Sequence, residues 1–337
     1  MTNALATYHV SRMEAGEWLF CFRRKPMDIR EANIFCTGGA GTLGHAIARR
    51  RQKDGWKGRF TVYSRHTHIL EQMKREFPDV AIVQGDIRDT LTLYHAMVGH
   101  DCVIHAGAVK VIPVSEFQSI DTIQVNVMGS LNVCDAAVRA GVKDVLGIST
   151  DKACHAANAY GATKYLMEKI FQEFARAGTE TKFHLVRYGN VLESNGSVVE
   201  AWKAAVARKE PIKITNPNMT RFWISPAQAV DYVIDAFRYD SGCIYIPKMS
   251  ALPIGKLAKY TLGEENYTSA IIPLRPGEKI HECLLTSEES WFALSEGKFF
   301  LLYPTTHKKF GASKQPYTSD VAPELTREEL EELLKNA

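Results

Sequence analysis

The feature that most restricts the fold of this chain is a regular alternation between about residue 33 and residue 188. Short apolar runs rich in β-branched residues alternate with longer amphipathic segments, as in repeated strand–helix–strand units that build a parallel sheet. The predicted strands cover 33–37, 60–64, 80–84, 102–106, 142–149 and 183–188. The predicted helices cover 43–52, 68–77, 91–100, 120–140 and 160–177. We therefore expect an α/β fold with a doubly wound parallel sheet, whose ligands bind beyond the carboxyl ends of its strands.

The sequence changes in character after Asn190. Prolines at 211, 217, 226, 247, 253, 273 and 276 break this part of the chain into short elements. A last helix is predicted after Thr326, because Thr326 and Glu329 have the spacing of a capping box. We expect an N-terminal leader or arm at 1–31, a nucleotide-binding domain at 32–190 and a smaller C-terminal substrate-binding lobe at 191–337, from which some segments return to the nucleotide-binding core.

Composition favours a small-molecule partner. The formal net charge of +3 is too small to indicate nucleic-acid binding. Seven scattered cysteines without CxxC spacing predict neither a disulfide framework nor a metal site. The longest early apolar run, Trp18 to Phe22, is far too short for a membrane span, and no small-residue cleavage site follows it. We expect a cytoplasmic protein without a membrane span, and a leader whose role stays open.

A glycine-rich turn predicts a dinucleotide site of the Rossmann type. Gly38, Gly41 and Gly44 follow the first predicted strand directly and open the first predicted helix. Glycine at these places permits a tight turn and a close approach of the backbone to a pyrophosphate at the positive end of the helix. Because turns are rich in glycine in general, the strand-to-helix context is what gives the motif its weight.

The end of the second strand favours NADP over NAD. A ribose-binding carboxylate is expected there for NAD, whereas this chain has Ser64 and Arg65, which could bind a 2′-phosphate through charge-assisted hydrogen bonds. The alternative is that Arg65 is a solvated loop arginine. Asp86, just past the third strand, is placed to meet the adenine, and its alternative role is a helix cap.

A tyrosine and a lysine form a predicted proton-transfer pair. Tyr160 and Lys164 lie one helical turn apart and therefore project from the same face of a helix. A nearby ammonium stabilises tyrosinate and lowers the phenol pKa, so that the phenolate can take a proton from an alcohol as hydride leaves for a nicotinamide.

Taken together, these motifs resemble the extended short-chain dehydrogenases/reductases, and more closely the inverting UDP-N-acetylglucosamine 4,6-dehydratases of bacterial glycan pathways. The resemblance extends from about residue 33 to residue 305. It rests on the segments "YSR", "HAGAVKVIP", "STDKA", "YGATK", "VRYGNV", "MTRFW" and "RPGEKIHE".

The resemblance implies a set of catalytic roles. Tyr160 would deprotonate the 4-hydroxyl of the sugar while NADP takes hydride from carbon 4. Lys152 would then remove the carbon 5 proton, Asp151 would help the 6-hydroxyl leave as water, and hydride would return to carbon 6. Thr150 would bind the 4-hydroxyl, or simply finish the strand. Lys152 must be neutral part of the time, which requires burial or a nearby positive charge such as Lys164 to lower its pKa. If the family resemblance is set aside, an ion pair at the end of a strand is the simpler interpretation of Asp151 and Lys152.

The same resemblance assigns the binding residues. Besides the glycines, Ser64, Arg65, Asp86, Tyr160 and Lys164, the expected NADP contacts are Thr42, Leu43, Ile87, Ala106, Ala108 and Val191. The expected contacts to a UDP-sugar, most plausibly UDP-N-acetylglucosamine, are Lys110, Asn190, Val198, Thr215, Met219, Arg221, Arg275 and Glu278. Arg275 is the first choice for the diphosphate, because a guanidinium fork matches its geometry. A homo-oligomer is also implied.

The chain departs from the family pattern at three places. "HAGA" replaces the usual "HAAA", a proline expected after "DKA" is absent, and the loop after "GNV" carries Glu193 and Asn195 where a glycine and an arginine are common. Three alternative functions stay open: a UDP-sugar 4-epimerase, which needs Tyr160 and Lys164 but not Lys152, a dehydratase variant that stops at a 5,6-ene, and a catalytically silent nucleotide-sugar-binding protein.

Overall fold

The structure is a computed structural model that describes residues 27–194, 197–264, 268–304 and 315–335. Most of the predicted leader, including Cys21, lies outside these residues, as does Asn195. Within the described ranges, no helix is both long and apolar enough to cross a membrane.

The strands of the described residues are numbered in chain order. They are β1 Ile34–Thr37, β2 Phe60–Ser64, β3 Ala81–Gln84, β4 Cys102–His105, β5 Asp144–Thr150, β6 Lys182–Tyr188, β7 Asn190–Val191, β8 Ile212–Ile214, β9 Thr220–Ile224, β10 Ile244–Pro247, β11 Ala251–Pro253, β12 Ser269–Ile271, β13 Cys283–Leu285, β14 Ala293–Glu296, β15 Phe299–Leu302 and β16 Tyr317–Thr318.

The α-helices are numbered in the same way. They are α1 Thr42–Asp54, α2 Thr67–Glu76, α3 Thr90–Met97, α4 Ile112–Phe117, α5 Ser119–Ile123, α6 Gly129–Arg139, α7 Ala159–Arg176, α8 Val198–Ala207, α9 Pro226–Ala236, α10 Ile254–Leu262, α11 Ser287–Ser290 and α12 Arg327–Lys335.

The central sheet confirms the predicted fold class. Its order is β3-β2-β1-β4-β5-β6-β10 with all neighbours parallel, and the antiparallel strands β15 and β14 complete the edge next to β10. The chain runs outward from β1 to β3 and then crosses back to β4, which creates the topological switch point where such sheets bind nucleotides. Its inner strands are buried on both faces, as the apolar runs predict.

One predicted helix is interrupted. Instead of a continuous helix over 120–140, α5 passes through a π-helical stretch, Gln124–Met128, into α6. The wide turn carries Asn126, whose side chain bonds both backbone groups of Val109 and the hydroxyl of Thr163. The stretch therefore ties the loop after β4 to α7, and a helical periodicity read from sequence is too coarse to detect its one extra residue.

Part of the chain after residue 190 forms short elements around a second apolar core. This core joins Leu192 and Trp202 to Leu252, Leu325 and Leu330, among others. The small sheets β11-β9-β7, β12-β8 and β13-β16 lie in this region, whereas β10, β14 and β15 extend the main sheet. The predicted last helix is α12, and Thr326 and Glu329 make both reciprocal bonds of its capping box.

Candidate active site

The glycine turn between β1 and α1 has the close packing that a dinucleotide cradle requires. Gly38 has φ +65°, and a Cβ there would lie 2.7 Å from the backbone of Gly107. A Cβ on Gly44 would lie 1.7 Å from the carbonyl oxygen of Gly39. No side chain caps the N-terminus of α1, where Gly41 is the N-cap, so this helix end fits the pyrophosphate of NAD or NADP.

The other predicted cofactor residues lie around this turn. Thr42 and Leu43 open α1, Ala106 and Ala108 follow β4, and Val191 pairs with Ile224 of β9. Ile87 is buried, and a Cβ on Gly129 of α6 would collide with its side chain at 2.7 Å. These positions are neighbours of the cradle along the carboxyl edge of the sheet, and their contacts to a cofactor stay a prediction.

Two arginines, rather than one, lie beyond the ends of β2 and β3. Arg65 Nη1 is 3.7 Å from Asp86 Oδ2, and Arg88 Nη2 is 2.7 Å from the same oxygen. Although partial burial opposes it, Arg88 and Arg65 lower the pKa of Asp86. Asp86 is not the cap of α3, because Asp89 fills that role. Sequence reasoning missed Arg88, although it lies only two residues after Asp86.

The turn that follows β5 carries the predicted acid and base. Thr150 Oγ1 donates to Asp151 Oδ1 at 2.8 Å and accepts a long bond of 3.4 Å from the backbone N–H of Lys152. Lys152 Nζ donates to the same Asp151 oxygen at 3.0 Å and to Asn190 Oδ1 at 3.3 Å. Asp151 is fully buried and the Lys152 side chain is 17% exposed. The structure therefore brings Thr150, Asp151, Lys152 and Asn190 together.

The protonation of Lys152 differs from the sequence expectation. Burial lowers its pKa, but the carboxylates of Asp151 and Glu282 together raise it above the ordinary value. The expected positive neighbour, Lys164, is replaced by Arg221. The expectation of a lowered pKa is thus wrong, because Lys152 is an ammonium held between two carboxylates.

Glu282 is a site residue that sequence reasoning missed. Its Oε1 atom lies 3.5 Å from Lys152 Nζ and 3.7 Å from Arg221 Nε, and the residue is buried. The available signal was its place at the end of "RPGEKIHE", a segment from which only Arg275 and Glu278 were selected.

Helix α7 begins where Asn158 caps it and carries the Tyr–Lys pair. Asn158 accepts from the N–H of Gly161 at 2.8 Å and donates to the carbonyl of Gly277 at 2.9 Å, which ties the helix to the second lobe. Burial raises the pKa of Tyr160 to about 12, while Lys152 and a hydrogen bond with Thr150 lower it.

Lys164 does not have the partner that its spacing predicts. Its Nζ donates to Met167 Sδ at 2.9 Å, and burial lowers its pKa to about 7. The positive charge that lowers the phenol pKa of Tyr160 therefore comes from Lys152, in the turn after β5. The predicted lowering of the phenol pKa by Lys164 is wrong, since Lys152 and Thr150 are the groups that lower it.

The predicted substrate residues of the second lobe fall into two groups. Thr215 Oγ1 donates to Glu278 Oε1 at 3.3 Å, and Glu278 lies 4.0 Å from Arg221, so these three form one cluster beside the buried Met219. Arg275 is exposed, and its backbone N–H donates to Glu278 Oε2 at 3.2 Å across the turn that contains both residues. Lys110 is also exposed, and Val198 is the first residue of α8.

A buried ionic network braces the catalytic helix. Arg187 of β6 is fully buried and donates to both carboxylate oxygens of Glu168 on α7, at 2.9 and 2.7 Å. It also donates to both oxygens of Glu289 on α11, each at 2.8 Å, and to Cys154 Sγ at 2.9 Å. The network therefore links α7, the turn after β5 and the second lobe.

Comparisons with known proteins identify the family and relatives of this chain. A family model described as "Polysaccharide biosynthesis protein" matches residues 34–304. An inverting UDP-N-acetylglucosamine 4,6-dehydratase of Campylobacter jejuni is 36% identical over 279 residues, or 81% of this chain and 83% of that protein. A UDP-glucose 4-epimerase of Rickettsia bellii is 35% identical over 327 residues, or 91% of this chain and 96% of that protein.

Solved structures share the fold. The crystal structure of Pen from Bacillus thuringiensis superposes with a TM-score of 0.84 at 30% identity, covering 92% of this chain and 98% of that chain. A dTDP-glucose 4,6-dehydratase of Streptomyces venezuelae, solved with NAD bound, has a TM-score of 0.65 at 18% identity, covering 74% of this chain and 86% of that chain. The predicted resemblance to the dehydratase branch of the extended short-chain dehydrogenases/reductases is confirmed, and epimerases are among the relatives as well.

Proposed function

The chain belongs to the polysaccharide biosynthesis protein family, and from that premise we propose that it is an NADP-dependent UDP-N-acetylglucosamine 4,6-dehydratase that inverts carbon 5. The observation that carries the proposal is the Lys152 amine, which is bonded to Asp151 at 3.0 Å and Asn190 at 3.3 Å at the carboxyl end of β5. An epimerase needs no second acid and base beside its tyrosine. A buried lysine–aspartate pair next to Tyr160 is what a dehydratase needs.

The cofactor contributes one piece of chemistry. When bound in the cradle of β1 and α1, it would accept hydride from carbon 4 of the sugar and return hydride to carbon 6. Oxidation at carbon 4 acidifies the hydrogen on carbon 5, because the resulting carbanion is delocalised into the ketone. Everything else in the reaction is proton transfer, which the side chains of this chain must perform.

Tyr160 takes the proton of the 4-hydroxyl. Burial raises its phenol pKa to about 12, so Tyr160 needs help to ionise near ~pH 7. Lys152 and Thr150 supply that help, since both lower this pKa. The water-poor surroundings strengthen these electrostatic effects.

The Lys152–Asp151 pair already holds the proton that the elimination requires. Moving one proton along their 3.0 Å hydrogen bond converts an ammonium and a carboxylate into a neutral amine and a carboxylic acid. In these forms Lys152 can take the carbon 5 proton and Asp151 can give a proton to the departing 6-hydroxyl. The elimination then regenerates the original ion pair. When hydride returns to carbon 6, carbon 5 takes up a proton on its opposite face, and the proton that Tyr160 received from the 4-hydroxyl balances the reaction.

The experiment is incubation of the purified protein with UDP-N-acetylglucosamine, followed by mass spectrometry. The proposal predicts a product lighter by one water molecule, formed without consumption of added NADP. Borodeuteride treatment of the product should then add one deuterium, because a 4-ketone is present. A product that has lost water but resists borodeuteride would instead identify the 5,6-ene variant, in which hydride returns to carbon 4 and removes the ketone.

Two lysine substitutions make the assay specific for the proposed base. Lys152→Ala should retain the cofactor and lose dehydration. Lys143→Ala is the matched control: Lys143 also pairs with an aspartate, Asp101 at 2.7 Å, but at the opposite end of β5. It should dehydrate at the wild-type rate. Normal dehydration by Lys152→Ala would refute the assignment of the base.

A second candidate function is a UDP-sugar 4-epimerase. It is favoured by the Rickettsia bellii epimerase, whose match extends over more of this chain than the match of the Campylobacter jejuni dehydratase. An epimerase would give a product of unchanged mass. Absence of any turnover would favour the third reading, a protein that binds nucleotide sugars without converting them.

The choice of NADP and the assembly of the chain are further proposals. NADP is supported by Arg65 and Arg88, two guanidinium groups beside the place expected for the adenosine ribose. Mass spectrometry of the cofactor released on denaturation will identify it. The proposed homo-oligomer is tested by sedimentation velocity, in which a monomer would contradict it.

A further inference from the structure

Glu282 lies at the centre of the charged groups of the site, and no step described so far uses it. It precedes β13, and its backbone N–H donates to Ser319 Oγ at 2.9 Å, which fixes its position. Only 3% of the residue is exposed. A carboxylate this deeply buried needs partners, because burial of an unpaired charge is costly.

The partners of Glu282 form an alternating chain of charges. Its Oε1 atom lies 3.5 Å from Lys152 Nζ and 3.7 Å from Arg221 Nε, while Asp151 holds the other side of Lys152. The second oxygen, Oε2, is buried without a hydrogen bond from any described residue and lies 3.9 Å from Lys279 Nζ. Glu282 therefore lies between three positively charged side chains, Lys152, Arg221 and Lys279.

We propose that Glu282 is a positioning residue that aims the Lys152 side chain and stabilises the ammonium formed when Lys152 takes a proton from the sugar. The proposal rests on the dehydratase function proposed above. Asp151 cannot do this alone, since its own charge changes during the elimination. A fixed carboxylate in a site that water hardly enters stabilises developing positive charge without having to reorganise.

The groups that face Lys152 come from four elements. Asp151 lies in its own turn, Glu282 precedes β13, Arg221 belongs to β9 and Tyr160 to α7. Burial and Arg221 lower the pKa of Lys152, whereas Asp151 and Glu282 raise it. Loss of the Glu282 charge should therefore lower this pKa, and a role in scaffolding alone predicts no such change.

The first test measures the charge of Lys152 directly in the ligand-free protein. Lysine labelled with ¹³C at Cε is followed by NMR during a pH titration, and the Lys152 signal is assigned by its absence from Lys152→Arg. Glu282→Gln keeps the shape of the side chain and should lower the Lys152 midpoint by about 1–3 pH units. An unchanged midpoint would overturn the proposal.

The control for this titration is Glu278→Gln. Glu278 lies in the same motif and 4.0 Å from the same arginine, Arg221, but bonds to Thr215 rather than to Lys152. Its substitution should leave the Lys152 midpoint where it is. Circular dichroism verifies that each variant is folded.

The second test measures dehydration against pH. In Glu282→Gln, kcat should fall about tenfold while KM changes less than about twofold. The loss of activity at alkaline pH should begin at a lower pH than in the wild type, since the Lys152–Asp151 pair gives up its shared proton more readily. Glu282→Asp should restore the alkaline limb. An equal loss at every pH would overturn the proposal. If the wild-type protein does not dehydrate UDP-N-acetylglucosamine, the proposed function fails, and the NMR titration still decides the role of Glu282.

Discussion

Replacement of Arg187 by methionine tests the buried network that braces the catalytic helix. The guanidinium makes four short bonds to Glu168 and Glu289, and both Arg187 and Glu168 are fully buried. Arg187→Met leaves Glu168 as an uncompensated charge, which typically costs about 3–5 kcal/mol. Glu289 costs less to leave unpaired, because 20% of its side chain reaches solvent. Urea unfolding followed by circular dichroism should therefore show a free energy of unfolding that is lower by this amount. The urea midpoint should fall while the m-value, the dependence of the free energy on urea concentration, stays unchanged.

The double variant Arg187→Met with Glu168→Gln separates the charge from the packing. Glutamine removes the stranded charge and keeps the shape, so the double variant should regain about 1–3 kcal/mol relative to Arg187→Met alone. The reasoning would be refuted if Arg187→Met lost less than about 1 kcal/mol, or if the two single losses simply added.

Three further outcomes are expected. Gly38→Ala forces φ +65° on a residue with a Cβ and places that Cβ 2.7 Å from Gly107, so it should weaken cofactor binding at least about tenfold in fluorescence titrations. Gly41→Ala should weaken binding less, because the nearest atom to its Cβ is 3.2 Å away. Equal effects of the two substitutions would contradict a steric cause. Arg65→Ala should reduce affinity for NADP more than for NAD, and a parallel reduction would show that Arg65 does not read the 2′-phosphate. Burial lowers the pKa of Lys164 to about 7, so the unfolded chain binds more protons than the folded chain between this value and the unfolded pKa of ~10.4. The stability advantage of Lys164→Met over the wild type should therefore shrink as pH rises from about 7 to about 10. A difference in stability that stays constant with pH would contradict this burial effect.

Much of the fold could be predicted because its determinants are local. The six strands from β1 to β6 lie within two residues of their predicted bounds. All except the edge strand β3 are largely buried, and buried parallel strands need continuous apolar runs that a sequence displays directly. Gly38 and Gly44 could be selected because a strand and a helix flank them. The π-helical turn at Asn126 could not be predicted, because one inserted residue hardly disturbs a helical period.

The electrostatics of the site were less predictable, because they depend on contacts between distant parts of the chain. Asp151, Lys152 and Tyr160 are close in sequence, and their assembly followed from one strand end and one helix. Glu282 reaches Lys152 from 130 residues away in the chain, and no local spacing encodes that contact. The predicted shift of the Lys152 pKa therefore had the wrong direction, since burial could be anticipated from the sequence but the contact with Glu282 could not.

The proposed dehydratase function requires that hydride leaves carbon 4 and arrives at carbon 6 of the same sugar while Lys152 and Asp151 remove water. UDP-N-acetylglucosamine deuterated at carbon 4, with the product examined by NMR, is the decisive substrate. We expect a 4-keto-6-deoxy product whose deuterium is found at carbon 6, and no such product from Lys152→Ala. Deuterium found only at carbon 4, in a hexose that has kept its 6-hydroxyl, would refute this hydride transfer.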